Sequence, residues 1–137
     1  MSNTAIALVG FSGWFILLSL TLAVYRSSLV LGGRKAANTF RTDGADLPGL
    51  GERLTRARDN CFETLPLFAA LALAAHIAGR LEVTDGLALW VLALRLGQSL
   101  VHIASTSVNA VLLRANLFFL QMAIYLWWAI RLLLGGA

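Results

Sequence analysis

Four long apolar stretches fill this chain and leave room for little else. Residues 4–31, 56–79, 85–109 and 113–134 each supply the roughly 20 mostly apolar residues that an α-helix needs to cross a bilayer. Backbone inside lipid has to satisfy its own N–H and C=O groups, so helices are the form such segments can take. The spacing predicts an all-α, integral membrane four-helix bundle, with residues 1–137 as a single four-span domain. Composition agrees: 58% of the side chains are apolar and only 13% charged, against about 25% charged in soluble domains. The first stretch lacks a basic leader and is longer than a signal-peptide core, so a retained span is expected.

The one long connection, from Gly32 to Thr55, contains Asp43-Gly44, Leu47-Pro48-Gly49 and Gly51, all turn chemistry. It also carries Arg34, Lys35, Arg41 and Arg53, and this positive excess predicts that the 32–55 loop is cytoplasmic and both termini lie opposite. Arg114, after the third span, falls on the same side, while the turn with Arg80, Glu82 and Asp85 has no such excess. The preference for Arg over Lys and the compact loops read as bacterial, which would mean the inner membrane. Ser12, Gly13 and Ser19 are small residues suited to close helix packing, and Trp127, Trp128 and Arg131 are expected to mark the far interface.

Charged and amide side chains inside such helices are costly in lipid and face a cavity or a partner. At about 100° per residue, Arg56, Asn60 and Glu63 share an arc of roughly 60°, with Asp59 beside it and Arg58 on the far side. Cys61 points away from Arg56 and is expected to pack apart from these polar groups. On the third span Arg95, Gln98, Ser99, His102, Thr106 and Asn109 form a polar stripe. Gln98, Ser99 and Thr106 suit interhelical hydrogen bonding, whereas a buried Arg95 needs a carboxylate or a polar cavity and is expected to reach Glu63. On the fourth span Arg114, Gln121 and Tyr125 share a face, and His76 stands alone among apolar residues near the end of the second.

This inventory excludes several chemistries. The Arg residues are not gathered on a basic face with aromatic platforms, so nucleic acid is not an expected partner. His76 and His102 are far apart and Cys61 is the only cysteine, so no metal framework is expected. No phosphate-binding glycine loop or nucleophile elbow is present. Arg side chains with amides and carboxylates remain, gathered at the cytoplasmic ends of three spans. Guanidinium groups grip carboxylates bidentately, and one near a thiol favours its thiolate. A zwitterionic, peptide-like ligand would suit this set, with an apolar co-substrate entering from the lipid; alternatively, the charges pair only with each other and hold the bundle together.

The run Arg56-Ala57-x-x-Asn60-x-x-Glu63-x-x-Pro66, at the start of the second of four spans, resembles the signature of the MAPEG family, the membrane-associated proteins in eicosanoid and glutathione metabolism. Its members include microsomal glutathione transferases and the non-catalytic five-lipoxygenase activating protein. The resemblance implies a homotrimer with glutathione held between neighbouring subunits near the cytoplasmic face. By position, Arg56, Asn60 and Glu63 match glutathione contacts, Pro66 a structural position, and Arg95 the Arg of the third span. His102 joins this binding set, Arg34 stands for a basic contact after the first span, and Arg114 matches the Arg that stabilises the thiolate. Where catalytic relatives often follow the third-span Arg with His and then Tyr, this chain has Gln98 and His102; Arg58 and Asp59 also differ from the common eukaryotic pattern. Two functions follow. One is a glutathione-dependent transferase or peroxidase acting on a lipophilic electrophile or lipid hydroperoxide; the other is a non-catalytic lipid-binding protein or accessory subunit of a larger membrane complex. Transport has little support, because four spans show no paired broken helices.

Overall fold

Ser2 opens the first helix by accepting a hydrogen bond from the Ala5 N–H at 3.1 Å, and an uninterrupted apolar sequence carries α1 from Asn3 to Leu31. The computed structural model describes residues 1–135. Three more helices follow: α2 (Leu50–Ile77), α3 (Glu82–Ala104) and α4 (Val108–Leu134). All four are long and apolar enough to cross a membrane. Large apolar side chains such as Val9, Val24, Phe119 and Leu126 stay exposed, as lipid-facing surfaces require. Helices α2 and α3 form the central pair, each packed against the other three, with α1 and α4 on the flanks.

Phe68 of α2 is the hub of the core, its ring centroid 5.8 Å from Phe11, 6.1 Å from Tyr125 and 5.9 Å from Trp128. Trp128 is thus fully buried and is not the interfacial anchor that its place beside Trp127 suggests. The two rings point in different directions from adjacent positions, and only Trp127 reaches the surface, where the Arg131 guanidinium lies 5.8 Å from its centroid. The small residues that let helices approach also differ from those expected. A Cβ on Gly10 would lie 2.7 Å from Leu92 Cδ2, whereas Gly13 faces open space. At Gly51 a Cβ would meet Leu47 Cβ at 2.6 Å and Tyr25 Cε1 at 2.7 Å, so glycine allows the start of α2 to close on the end of α1.

Two helix boundaries depart from the hydropathy reading. Helix α2 begins at Leu50, six residues before the apolar span at 56, because Gly49 (φ 78°) ends the turn and the Glu52 and Arg53 N–H groups bond Leu47 O and Gly49 O. Its first turns are polar and extend beyond the span. Helix α3 ends at Ala104 rather than 109. Ser105 turns extended, and Ser107 caps α4 by accepting from the Ala110 N–H at 3.2 Å. Consecutive hydroxyl residues compete with helical bonding in this way. Thr106 therefore lies in the turn and Asn109 in α4, so the polar stripe of α3 stops at His102.

At the opposite end, Arg80 clamps the turn between α2 and α3 onto α4, its Nη1 donating to Arg131 O at 3.2 Å and Leu132 O at 3.3 Å. These carbonyls belong to the last turn, where helical partners run short; Arg131 O also accepts from the Gly135 N–H at 3.1 Å. Arg80→Ala is expected to weaken this end by about 1 kcal/mol and to speed amide exchange in the last turn of α4. Unchanged exchange there would show that the clamp carries no load.

The loop between α1 and α2 is ordered by its own charges. Phe40 lies between the Arg26 guanidinium (5.6 Å) and the Lys35 ammonium (5.4 Å), and Lys35 pairs with Asp46 at 3.0 Å. Arg41 grips Asp43 through Nε at 3.0 Å and Nη2 at 2.8 Å. The Arg41 hydrogen bond, helped by the Ala45 N–H, lowers the Asp43 carboxyl to about 2. A lowered carboxyl supports the loop above its ordinary titration range and loses that support as pH falls through the folded value. NMR titration should therefore find the Asp43 midpoint near 2, and Arg41→Ala should move it up toward 3.8. A midpoint that ignores Arg41→Ala would mean the pair is not formed.

Candidate functional site

The site grows from one buried cation. Arg95 of α3 is 0% exposed, and its Nη1 donates to Asn60 Oδ1 on α2. Its Cζ lies 5.4 Å from the Phe11 ring centroid, while Nε and Nη2 have no hydrogen-bond partner among the described residues. Arg95 is not paired with Glu63 as expected. The shortened α3 explains the difference: Arg53 Nε donates to Ile103 O at 2.7 Å, which sets the end of α3, and not Asn109, beside the first turns of α2. Cys61 is corrected in the same way. It is fully buried, as a packing residue should be, but it meets the α3 stripe, 3.3 Å from Ser99 Oγ.

Next to Asn60 the bundle surface opens into two cavities. One, of 350 Å³, is lined by Asn60, Glu63, Gln98, His102, Arg114, Ala115, Phe118 and Phe119. The second, of 420 Å³, is lined by Asp43, Ala45, Glu52, Arg56, Asp59, Asn60, Glu63 and His102. Asn60, Glu63 and His102 border both, so the two form one groove from Arg56 to Arg114. Each half lies in the size range of small-molecule sites, about 300–1,000 Å³. His102 sits in the fields of Arg114, Arg95 and Arg56, while Asp43, Glu52, Asp59 and Glu63 line the Arg56 half. Arg56 is shared with Glu52 at 2.7 Å, but Arg114 and Glu63 make no ion pair among the described residues. Those two are therefore the groove charges that no ion pair within the described residues holds.

Arg56, Asn60, Glu63, His102 and Arg114 thus come together from three helices. Arg95 stands behind the wall and touches the groove only through Asn60. Arg34 is exposed in the loop and borders none of the described cavities. Sequence reasoning missed Phe118 and Phe119, which give the Arg114 end an aromatic margin; Phe118 follows Arg114 by one helical turn, and that spacing was the available signal. It also missed a larger cavity, 550 Å³, on another face of α2, lined by Phe15, Thr42, Asp43, Arg58, Asp59 and Phe62. There Arg58 pairs with the adjacent Asp59, and the Phe15 and Phe62 rings lie 6.0 Å apart. No three His, Cys, Asp or Glu side chains converge as a metal site would need, among the described residues.

Arg56, Asn60 and Glu63 of the Arg56–Pro66 signature border the groove, and a model of the MAPEG family matches residues 4–134. The chain belongs to the MAPEG family. It is an integral, multi-pass membrane protein of a family tied to glutathione and eicosanoid metabolism. No curated protein and no solved structure matches it. Within this MAPEG protein the departures noted in the sequence fall inside the groove: Gln98 and His102 both line it, and Asp59 lies on the ridge between the groove and the larger cavity.

Proposed function

We propose that the protein is a homotrimeric glutathione-dependent enzyme that joins the thiol to a lipophilic electrophile or reduces a lipid hydroperoxide. The observation that carries this reading is the polarity of the groove, with Arg56 and Arg114 at its two ends, Asn60, Glu63 and Gln98 between them, and an aromatic margin at the Arg114 end. Arg56 takes a carboxylate of the peptide, Glu63 its amino group, and Asn60 a backbone carbonyl. Arg114 holds the sulfur as thiolate, which raises its nucleophilicity at neutral pH. In conjugation the thiolate attacks the electrophilic carbon, the carbon–sulfur bond forms and the leaving group departs with its electron pair. Phe118 and Phe119 guide the apolar substrate from the lipid. Arg34 reaches a groove only from a neighbouring protomer, and the Arg58–Asp59 face of α2 is the surface offered to that neighbour. The 32–55 loop then faces the cytoplasm.

The test is product formation by protein reconstituted in lipid, with glutathione and either a chromogenic aryl halide or a lipid hydroperoxide. Turnover that saturates in glutathione is expected. No turnover with either substrate class, despite glutathione binding, would favour the non-catalytic lipid-binding or accessory reading, which Gln98 and His102 in the groove support.

A further inference from the structure

Gln98 and Gln121 form a buried amide pair between α3 and α4, 2% and 0% exposed. Gln121 Nε2 donates to Gln98 Oε1 at 2.9 Å and to Leu117 O at 3.0 Å. A backbone carbonyl only accepts, so Leu117 fixes which end of the Gln121 amide is nitrogen. Gln121 in turn fixes Gln98, whose oxygen must face the donor. The Gln98 NH₂ is then left for the groove that this residue lines. The same logic acts at Asn60: Arg95 has donors only, so it claims Oδ1 and leaves the Asn60 NH₂ outward. Two amides in one wall are turned the same way by donors buried behind them.

As interhelical adhesive alone the glutamine pair is poor. Gln121 Oε1 is buried without a partner among the described residues, and an unsatisfied buried acceptor costs about 1–3 kcal/mol. Two apolar side chains of similar shape would avoid that cost. What the pair provides is a donor of fixed orientation beside Arg114.

We propose that Gln98 is a ligand-contacting residue whose NH₂ donates to an anionic group, a thiolate or a carboxylate, and that Gln121, which touches no ligand, is the positioning residue that holds it so. This deepens the glutathione reading and rests on it for the identity of the ligand, but the anion-binding wall itself is testable without glutathione.

The experiment uses the detergent-purified full chain with Gln98→Met, Gln121→Met and the double variant. Glutathione and S-methylglutathione affinities are measured by calorimetry, and crystals soaked in sodium iodide report the bare anion by anomalous scattering. Gln98→Met should weaken glutathione binding about tenfold. Gln121→Met should weaken it severalfold, because Gln98 is then free to present its oxygen, and should add nothing in the Gln98→Met background. A merely structural Gln121 would lower stability equally in both backgrounds without this coupling. A loss that persists with S-methylglutathione identifies a carboxylate as the anion; a loss confined to glutathione identifies the thiolate. Gln98→Glu keeps the bond from Gln121 while placing an acceptor in the wall, so it should retain the fold and exclude both probes. If glutathione fails to bind but iodide sits at Gln98 in the wild type and leaves in Gln121→Met, the donor wall stands and only the glutathione reading falls. Neither probe at Gln98, or Gln121→Met equal to wild type, overturns the proposal.

Discussion

Asn60→Leu is expected to destabilise the bundle by about 3 kcal/mol, the largest single stability loss that these contacts imply. Arg95 is wholly buried, and the Asn60 oxygen is its one hydrogen-bond acceptor among the described residues. Removing that acceptor leaves a buried guanidinium against the Phe11 ring with no hydrogen-bond acceptor among the described residues. Replacing both partners removes the charge as well as its acceptor, so Asn60→Leu with Arg95→Met should recover much of the loss. Unfolding in detergent, followed by helical signal, measures both variants. A single variant as stable as the wild type would mean that Arg95 finds another acceptor and that Asn60 serves the groove alone.

Arg114→Ala should lower turnover about 100-fold, as removal of one preorganised charge from a reacting oxyanion or thiolate does, while changing glutathione affinity far less. Arg114 makes no ion pair among the described residues and borders the groove beside Gln98 and Phe118. Its charge is thus available to a developing anion. Arg56→Ala should do the reverse, weakening binding about tenfold with kcat nearly intact, because Arg56 sits at the other end of the groove next to Glu52. Steady-state kinetics with glutathione as the varied substrate separates the two. Equal, small effects from both replacements would sink the division of labour.

Much of this site was legible in the sequence because polar residues are rare in apolar helices. Once four spans were drawn, Arg56, Asn60, Glu63, His102 and Arg114 were conspicuous, and helical angles alone put the first three on one face. What angles do not give is the neighbour. The register of α3 on α2 depends on where α3 ends, and Ser105, Thr106 and Ser107 end it before Asn109. That shift brings Arg95 to Asn60 and Cys61 to Ser99. Trp128 was misread for a related reason, since interface and core both accept tryptophan at a helix end and only the packing of Phe68 and Tyr125 selects the core. The orientation of the Gln98 amide depends on Leu117 O, a backbone atom on another helix, and no side-chain pattern encodes it.

The central claim is that the groove binds glutathione and holds its sulfur as thiolate. Calorimetry of glutathione on the detergent-purified protein, with Arg114→Ala alongside and a thiolate difference spectrum on the same samples, tests it most directly. Saturable binding with a thiolate signal that Arg114→Ala abolishes is the predicted result. Absence of binding to the wild type would contradict it, and would mean that this MAPEG protein keeps the fold and its polar groove for a different ligand.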